Sequence, residues 1–240
     1  MKNDRINSSI QEHIKEVERK IEEACARGNR NREDITLIAV SKTKPLEDLI
    51  EAYEAGCRDF GENKVQEILE KAPKMPPDAR FHMIGHLQRN KVKQVLPHVV
   101  MIHSVDSVRL AEQIQQEAKK LGKTINVLLE VNVAKEESKF GFYPEQVMDA
   151  VETISKFSHV RIQGLMTIAP FVEEPEENRE VFQKLYQLSV DIKKKNIDNV
   201  NMCVLSMGMT GDYQVAIEEG ASMIRVGTGI FGARQGLERE

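Results

Sequence analysis

Ile35-Thr36-Leu37-Ile38-Ala39-Val40-Ser41-Lys42 is a short apolar run, rich in β-branched residues and closed by a hydroxyl and a lysine. Its length and composition predict a buried strand over 35–41. Side chains alternate across a strand, so Ile38, Val40 and Lys42 share one face and the amine is carried to the strand's C-terminal end. Seven further short apolar runs follow, at 59–61, 81–84, 99–104, 126–133, 161–168, 202–206 and 223–226. The second of the eight has the weakest pattern.

Between these runs the apolar spacing changes to threes and fours, predicting helices at 46–55, 64–71, 91–96, 107–121, 144–157, 176–194 and 212–219. Glycine or proline marks many junctions, among them Pro45, Gly56, Pro97, Gly122, Pro144 and Gly220. Ahead of the first strand, Ile6, Ile10, Ile14, Val17, Ile21 and Ala24 form one helical stripe that predicts a helix over 6–27, ended near Gly28-Asn29. Strands alternating with helices and no long linker predict an α/β protein, a (β/α)8 TIM barrel with an extra N-terminal helix. The expected organisation is one domain over 1–240, with residues 1–30 packed on the barrel as that helix. A doubly wound open sheet is the alternative and would need fewer strands.

Composition narrows the function. The 240 residues are 40% hydrophobic and 30% charged, with a formal net charge of −4. That balance suits a substantial core and argues against nucleic-acid binding, which favours a basic face. The basic run Arg89–Lys93 reads as a solvated helix face. The acidic run Glu173-Glu174-Pro175-Glu176-Glu177 reads as a loop opening a helix, where carboxylates complement the dipole. Cys25, Cys57 and Cys203 are odd in number and widely spaced, which implies neither a disulfide framework nor a zinc site. The N-terminus has no apolar signal region and no run of about 18 apolar residues occurs, so a cytoplasmic protein without membrane contact is expected.

In a (β/α)8 barrel the C-terminal strand ends build the active face. Here they deliver Lys42, Glu62-Asn63, Gly85-His86, His103-Ser104, Asn132, the turn after Ser206, and Arg225-Val226-Gly227-Thr228-Gly229. Burial at the mouth would lower the pKa of Lys42 and supply the neutral amine that attacks an aldehyde. A lysine merely snorkelling from the mouth is the bland alternative. The loops after strands 7 and 8 are where such barrels bind phosphate, and Ser206, Gly227 and Thr228 carry the hydroxyls and approachable backbone N–H groups for it. Gly227-Thr228-Gly229-Ile230-Phe231-Gly232 matches a dinucleotide fingerprint in letters only. The helix, strand and acidic residue that the fingerprint requires after it are not expected here.

These segments resemble, over essentially the whole chain, the family of pyridoxal phosphate (PLP) homeostasis proteins, whose barrel is similar to the N-terminal domain of alanine racemase. The resemblance is carried by Ala39-Val40-Ser41-Lys42-Thr43, Phe60-Gly61-Glu62-Asn63, His82-Met83-Ile84-Gly85-His86-Leu87-Gln88-Arg89-Asn90-Lys91 and His103-Ser104-Val105-Asp106-Ser107. It continues in Lys139-Phe140-Gly141, Gly164-Leu165-Met166-Thr167, Leu205-Ser206-Met207-Gly208-Met209 and Arg225 to Gly232. It implies that Lys42 holds PLP as a Schiff base, that Ser206, Gly227 and Thr228 hold the phosphate, that Arg225 lies near the pyridine nitrogen and that Asn63 lies near the ring. Lys64 departs from the aromatic residue expected there.

An arginine at the pyridine nitrogen cannot accept its proton, which weakens the ring as an electron sink. Alanine racemase takes a second acid/base, a tyrosine, from a C-terminal β domain that this sequence is expected to lack. Tyr53, Tyr143, Tyr186 and Tyr213 fall in predicted helices or loops. The resemblance therefore implies a PLP carrier serving vitamin B6 homeostasis with little or no turnover, a weak amino-acid racemase being the alternative. The partners implied are PLP and apo PLP-dependent enzymes, and a monomer is expected.

Overall fold

The computed structural model describes residues 9–232. Parallel strands β1 (Thr36–Val40), β2 (Asp59–Glu62), β3 (Arg80–Met83), β4 (Met101–Val105), β5 (Ile125–Glu130), β6 (Val160–Met166), β7 (Val200–Met209) and β8 (Met223–Val226) close in sequence order into a barrel. Closure is made by β1 on β8, with Ile38 opposite Arg225 and Ala39 opposite Val226. An open doubly wound sheet is thereby excluded. The helices are α1 (Ile10–Arg27), α2 (Leu46–Glu54), α3 (Val65–Lys71), α4 (Val92–Val95), α5 (Val108–Leu121), α6 (Val147–Ile154), α7 (Arg179–Lys194), α8 (Tyr213–Glu218) and α9 (Thr228–Phe231).

Each expected strand and helix is present, with ends moved by a few residues. The first turn expected for α1, residues 6–8, lies outside the described residues. Ser9 caps that helix: its hydroxyl accepts from the Glu12 N–H at 3.2 Å while the Glu12 carboxylate accepts from the Ser9 N–H at 3.0 Å. The helix packs against α8, α9 and α2, taking the place in the outer ring that the four-residue α9 is too short to fill. Arg27 and Arg30 fasten it to Glu218 and to the Ile217 carbonyl.

The largest departure is in β7. A turn was expected directly after Ser206, yet pairing resumes at Met209 opposite Arg225. Gly208, at φ +93°, takes the strand through a bulge instead of ending it. At Gly164 on β6 a Cβ would stand 1.7 Å from the Val204 carbonyl oxygen, so only glycine admits the irregular β6–β7 approach.

Apolar faces sort into two cores. The larger lies between strands and helices and holds Leu37, Ala39, Phe60, Phe81, Ile102, Leu129 and Ile224 among others. A separate small cluster of Met101, Leu128 and Met166, with Val204 and Met223 against it, lies apart from the larger one on the strands. Ile38 and Val40 are buried outside the larger core, as their shared inward face requires. At the mouth, α5 starts on Ser107, whose hydroxyl accepts from the Leu110 N–H at 3.2 Å. Replacing this cap in Ser107→Ala should lower unfolding free energy by about 1 kcal/mol in urea titration.

Candidate functional site

Lys42 follows β1 and is half-buried, and its two neighbours are pinned from beneath. The Ser41 hydroxyl donates to Glu62 Oε1 at 2.6 Å. Lys71 Nζ donates to the Ser41 carbonyl at 2.8 Å, to Glu62 Oε1 at 2.8 Å and to Glu67 Oε2 at 2.7 Å. Glu67 Oε2 also accepts from the Thr43 N–H at 2.7 Å, which holds Thr43 at φ +62°, a region β-branched residues avoid. Glu62 and Lys71 are both buried, and Glu62 Oε2 has no hydrogen-bond partner. Burial pushes the Glu62 carboxyl up, and Lys71 and then Ser41 pull it back.

Strand pairing puts the glycine turn next to this lysine. Because β8 lies beside β1, Gly227 comes level with Val40, and a Cβ there would be 3.4 Å from the Val40 carbonyl oxygen. The N–H groups of Gly227 and Gly229 converge on one oxygen, Thr210 Oγ1, at 3.3 and 3.2 Å. Two amides aimed at one acceptor form a nest that an anion's oxygen can use. Thr228 is exposed at the same turn. Asn63 sits on the rim against Gly85, where a Cβ would stand 2.4 Å from the Asn63 carbonyl oxygen.

Ser206 is not brought to this turn. It is fully buried, opposite Met223 and so below the level of Gly227. Its hydroxyl oxygen accepts from Arg225 Nη1 at 2.6 Å and lies 2.8 Å from His103 Nδ1. Arg225 Nη2 donates to the Thr167 carbonyl at 2.8 Å. Burial pulls the Arg225 guanidinium down to about 10, with Glu130 and Asp212 opposing, so it stays cationic at neutral pH. Beneath it a polar chain descends through the barrel: His103 Nε2 to His82 Nδ1 at 2.9 Å, His82 Nε2 to Asp59 Oδ1 at 2.9 Å, and Asp59 to Arg80 at the base.

The rim across from Lys42 is tied by loop contacts. The His86 ring stacks on Phe140 at 3.8 Å and its Nδ1 lies 3.0 Å from Asp106 Oδ2. Lys139 Nζ donates to the Ala169 carbonyl at 3.3 Å, and Asn132 folds its loop onto Glu136 at 2.8 Å. Glu130 ends β5 on the inward face of Leu128, and its carboxyl is pushed up to about 7 by burial and then by Asp106, with Arg225 opposing. A carboxyl raised above its unfolded value stabilises most at low pH, and that contribution is lost as pH rises through about 7. Glu130→Gln should therefore flatten the fall in stability between acid and alkaline denaturant titrations, by on the order of 2 kcal/mol.

Sequence reasoning missed Thr210, Lys71 and Glu130. Thr210 lies four residues past Ser206, and only the β7 bulge reveals that it, not Ser206, meets the glycine turn. Lys71 is an i,i+4 partner of Glu67 on a predicted helix, a signal that does not say the pair is buried.

Residues 15–235 match the family described as the alanine racemase N-terminal domain. The pyridoxal phosphate homeostasis protein of Aquifex aeolicus is 42% identical over 225 residues, covering 93% of this chain and 98% of its own. The human protein of that name is 38% identical, covering 92% and 85%. Among solved structures, PipY of Synechococcus elongatus with PLP bound superposes with a TM-score of 0.78 at 35% identity, covering 89% of this chain and 100% of its own. Alanine racemase of Clostridium difficile, at 15% identity and a TM-score of 0.70 over 91% of this chain and 58% of its own, shares the fold. By its barrel and by these relatives, the chain belongs to the pyridoxal phosphate homeostasis protein family.

Proposed function

We propose that this protein binds PLP as a Schiff base on Lys42 and holds it for intracellular vitamin B6 homeostasis, with little or no turnover. One observation carries the reading. The β1–β8 pairing sets a half-buried lysine, a cationic arginine and two converging backbone amides at one barrel mouth. Those groups fit the cofactor: an amine for the aldehyde, a guanidinium for the ring nitrogen and N–H donors for the phosphate. When bound, PLP would supply an aldehyde carbon that can be captured and released.

Lys42 Nζ would bond to that carbon, its two protons leaving with the aldehyde oxygen as water. Thr210, with Gly227, Thr228 and Gly229, would hold the phosphate, while Ser206 acts on Arg225 instead. Asn63 would stand beside the ring. Arg225 keeps its own proton and gives the ring nitrogen none, which limits carbanion stabilisation and favours holding over turnover. Apo PLP-dependent enzymes are the natural recipients, and the cytosol is where they would be met. No helix among the described residues is long and apolar enough to cross a membrane.

The test is absorbance of the purified protein with PLP, followed by borohydride reduction and mass mapping. An imine band with the adduct on Lys42 supports the reading, and no adduct removes it. Sustained conversion of L-alanine to its D-isomer would replace the carrier with a racemase. Thr210→Val keeps the side chain's shape but loses the hydroxyl, and should weaken PLP binding about tenfold in fluorescence titration.

A further inference from the structure

The chain of hydrogen bonds beneath Arg225 admits one self-consistent direction. Arg225 can only donate, so its Nη1–H donates a hydrogen bond to Ser206 Oγ. At the other end, burial pushes the Asp59 carboxyl up, but His82 and Arg80 outweigh it and keep the group ionised as an acceptor. His82 Nε2 must then carry a proton toward Asp59. His103 is fully buried beside His82 and Arg225, and these surroundings hold it neutral. It therefore carries one ring proton, at Nδ1 or at Nε2.

With the proton on Nε2, His103 donates to His82 Nδ1, and its bare Nδ1 accepts the Ser206 hydroxyl proton. Each link from Arg225 to Asp59 then has one donor and one acceptor. With the proton on Nδ1, the Ser206 oxygen would accept from Arg225 and His103 together. Its own proton would then have no acceptor in a fully buried site, and His82 would have to become a cation to donate on both sides. The first arrangement is the one without an orphaned donor.

We infer that His103, acting through Ser206, is the positioning residue of Arg225, and that Asp59 at the barrel's base fixes the direction of the relay through His82. The bond from β4 to β7 crosses the interior, and the Thr167 carbonyl on the second amine completes the clamp. Two of the five guanidinium donors are spent on the protein and the others remain for a ligand. Arg225 is thereby held ready before PLP arrives. The importance of that clamp for PLP rests on the Lys42 reading given above.

The experiment uses ligand-free protein with isotopically labelled histidine and arginine. Long-range nitrogen–proton correlations should show His103 protonated at Nε2 and bare at Nδ1. Exchange of the Arg225 guanidinium protons with solvent should quicken about tenfold in His103→Leu and Ser206→Ala, and stay near the parent rate in Ser206→Thr, which keeps the hydroxyl. PLP affinity should fall about tenfold in the first two variants although neither altered residue reaches the ligand. A proton on His103 Nδ1, or unchanged Arg225 exchange in Ser206→Ala, overturns the inference. If His103→Leu does not fold, the two Ser206 variants and the tautomer decide. If the parent protein forms no adduct on Lys42, the binding proposal falls, while the tautomer and exchange results still decide the positioning.

Discussion

Lys42→Ala is expected to abolish the imine absorbance and the borohydride-fixed adduct, and to weaken PLP binding about 100-fold, a loss of about 3 kcal/mol. The Gly227 and Gly229 amides and Arg225 would survive the substitution, so a residual non-covalent affinity is expected rather than none. Neighbouring lysines are not expected to substitute. Lys44 Nζ is drawn away to the Phe231 carbonyl at 2.8 Å, and Lys64 is exposed at the start of α3. Lys42 is only half-buried, so removing its amine should move unfolding free energy by about 1 kcal/mol or less. Affinity and stability thus separate, which distinguishes a lost binding group from a damaged barrel. Absorbance, reduction with peptide mapping and denaturant titration on the same preparation check all three. An adduct persisting on Lys44 or Lys64 would move the site away from the strand-1 end.

The barrel was readable because the pattern is local. Ile38, Val40 and Lys42 had to share a face once 35–41 was a strand, and the structure buries the two aliphatics on the inner side. The glycine turn after β8 was likewise visible as letters. What escaped was contact between distant residues. Ser206 and Thr210 are both hydroxyls in one segment, and which of them meets the glycine turn depends on a bulge at Gly208 that shifts the register to β8. His82 and His103 are 21 residues apart and meet only because β3 and β4 pair, so their relay has no sequence signature. Lys71 looks like any surface lysine until α3 folds it under the end of β1.

That buried lysine gives the second large effect. Lys71→Met preserves length and apolar stem but removes the cation that faces Glu62 and Glu67. Glu62 would keep only the Ser41 hydroxyl, with its second oxygen already unpartnered. Stranding one member of a buried pair typically destabilises by about 3–5 kcal/mol, more than the pair itself contributes over an apolar replacement. Loss of Lys71 also raises the folded-state pKa of Glu62 further above its unfolded value, because burial is then less opposed. The destabilisation should therefore be greatest at alkaline pH and shrink in acid, where Glu62 takes up a proton. Denaturant titrations on either side of neutrality check the sign, and adding Glu62→Gln should restore part of the loss. The Ser41 carbonyl also loses its donor, and with it one of the contacts holding the backbone beside Lys42. PLP affinity should then fall even where the variant is fully folded. An alkaline loss under about 1 kcal/mol would mean that Glu62 finds other solvation and that Lys71 does not hold the strand end in place.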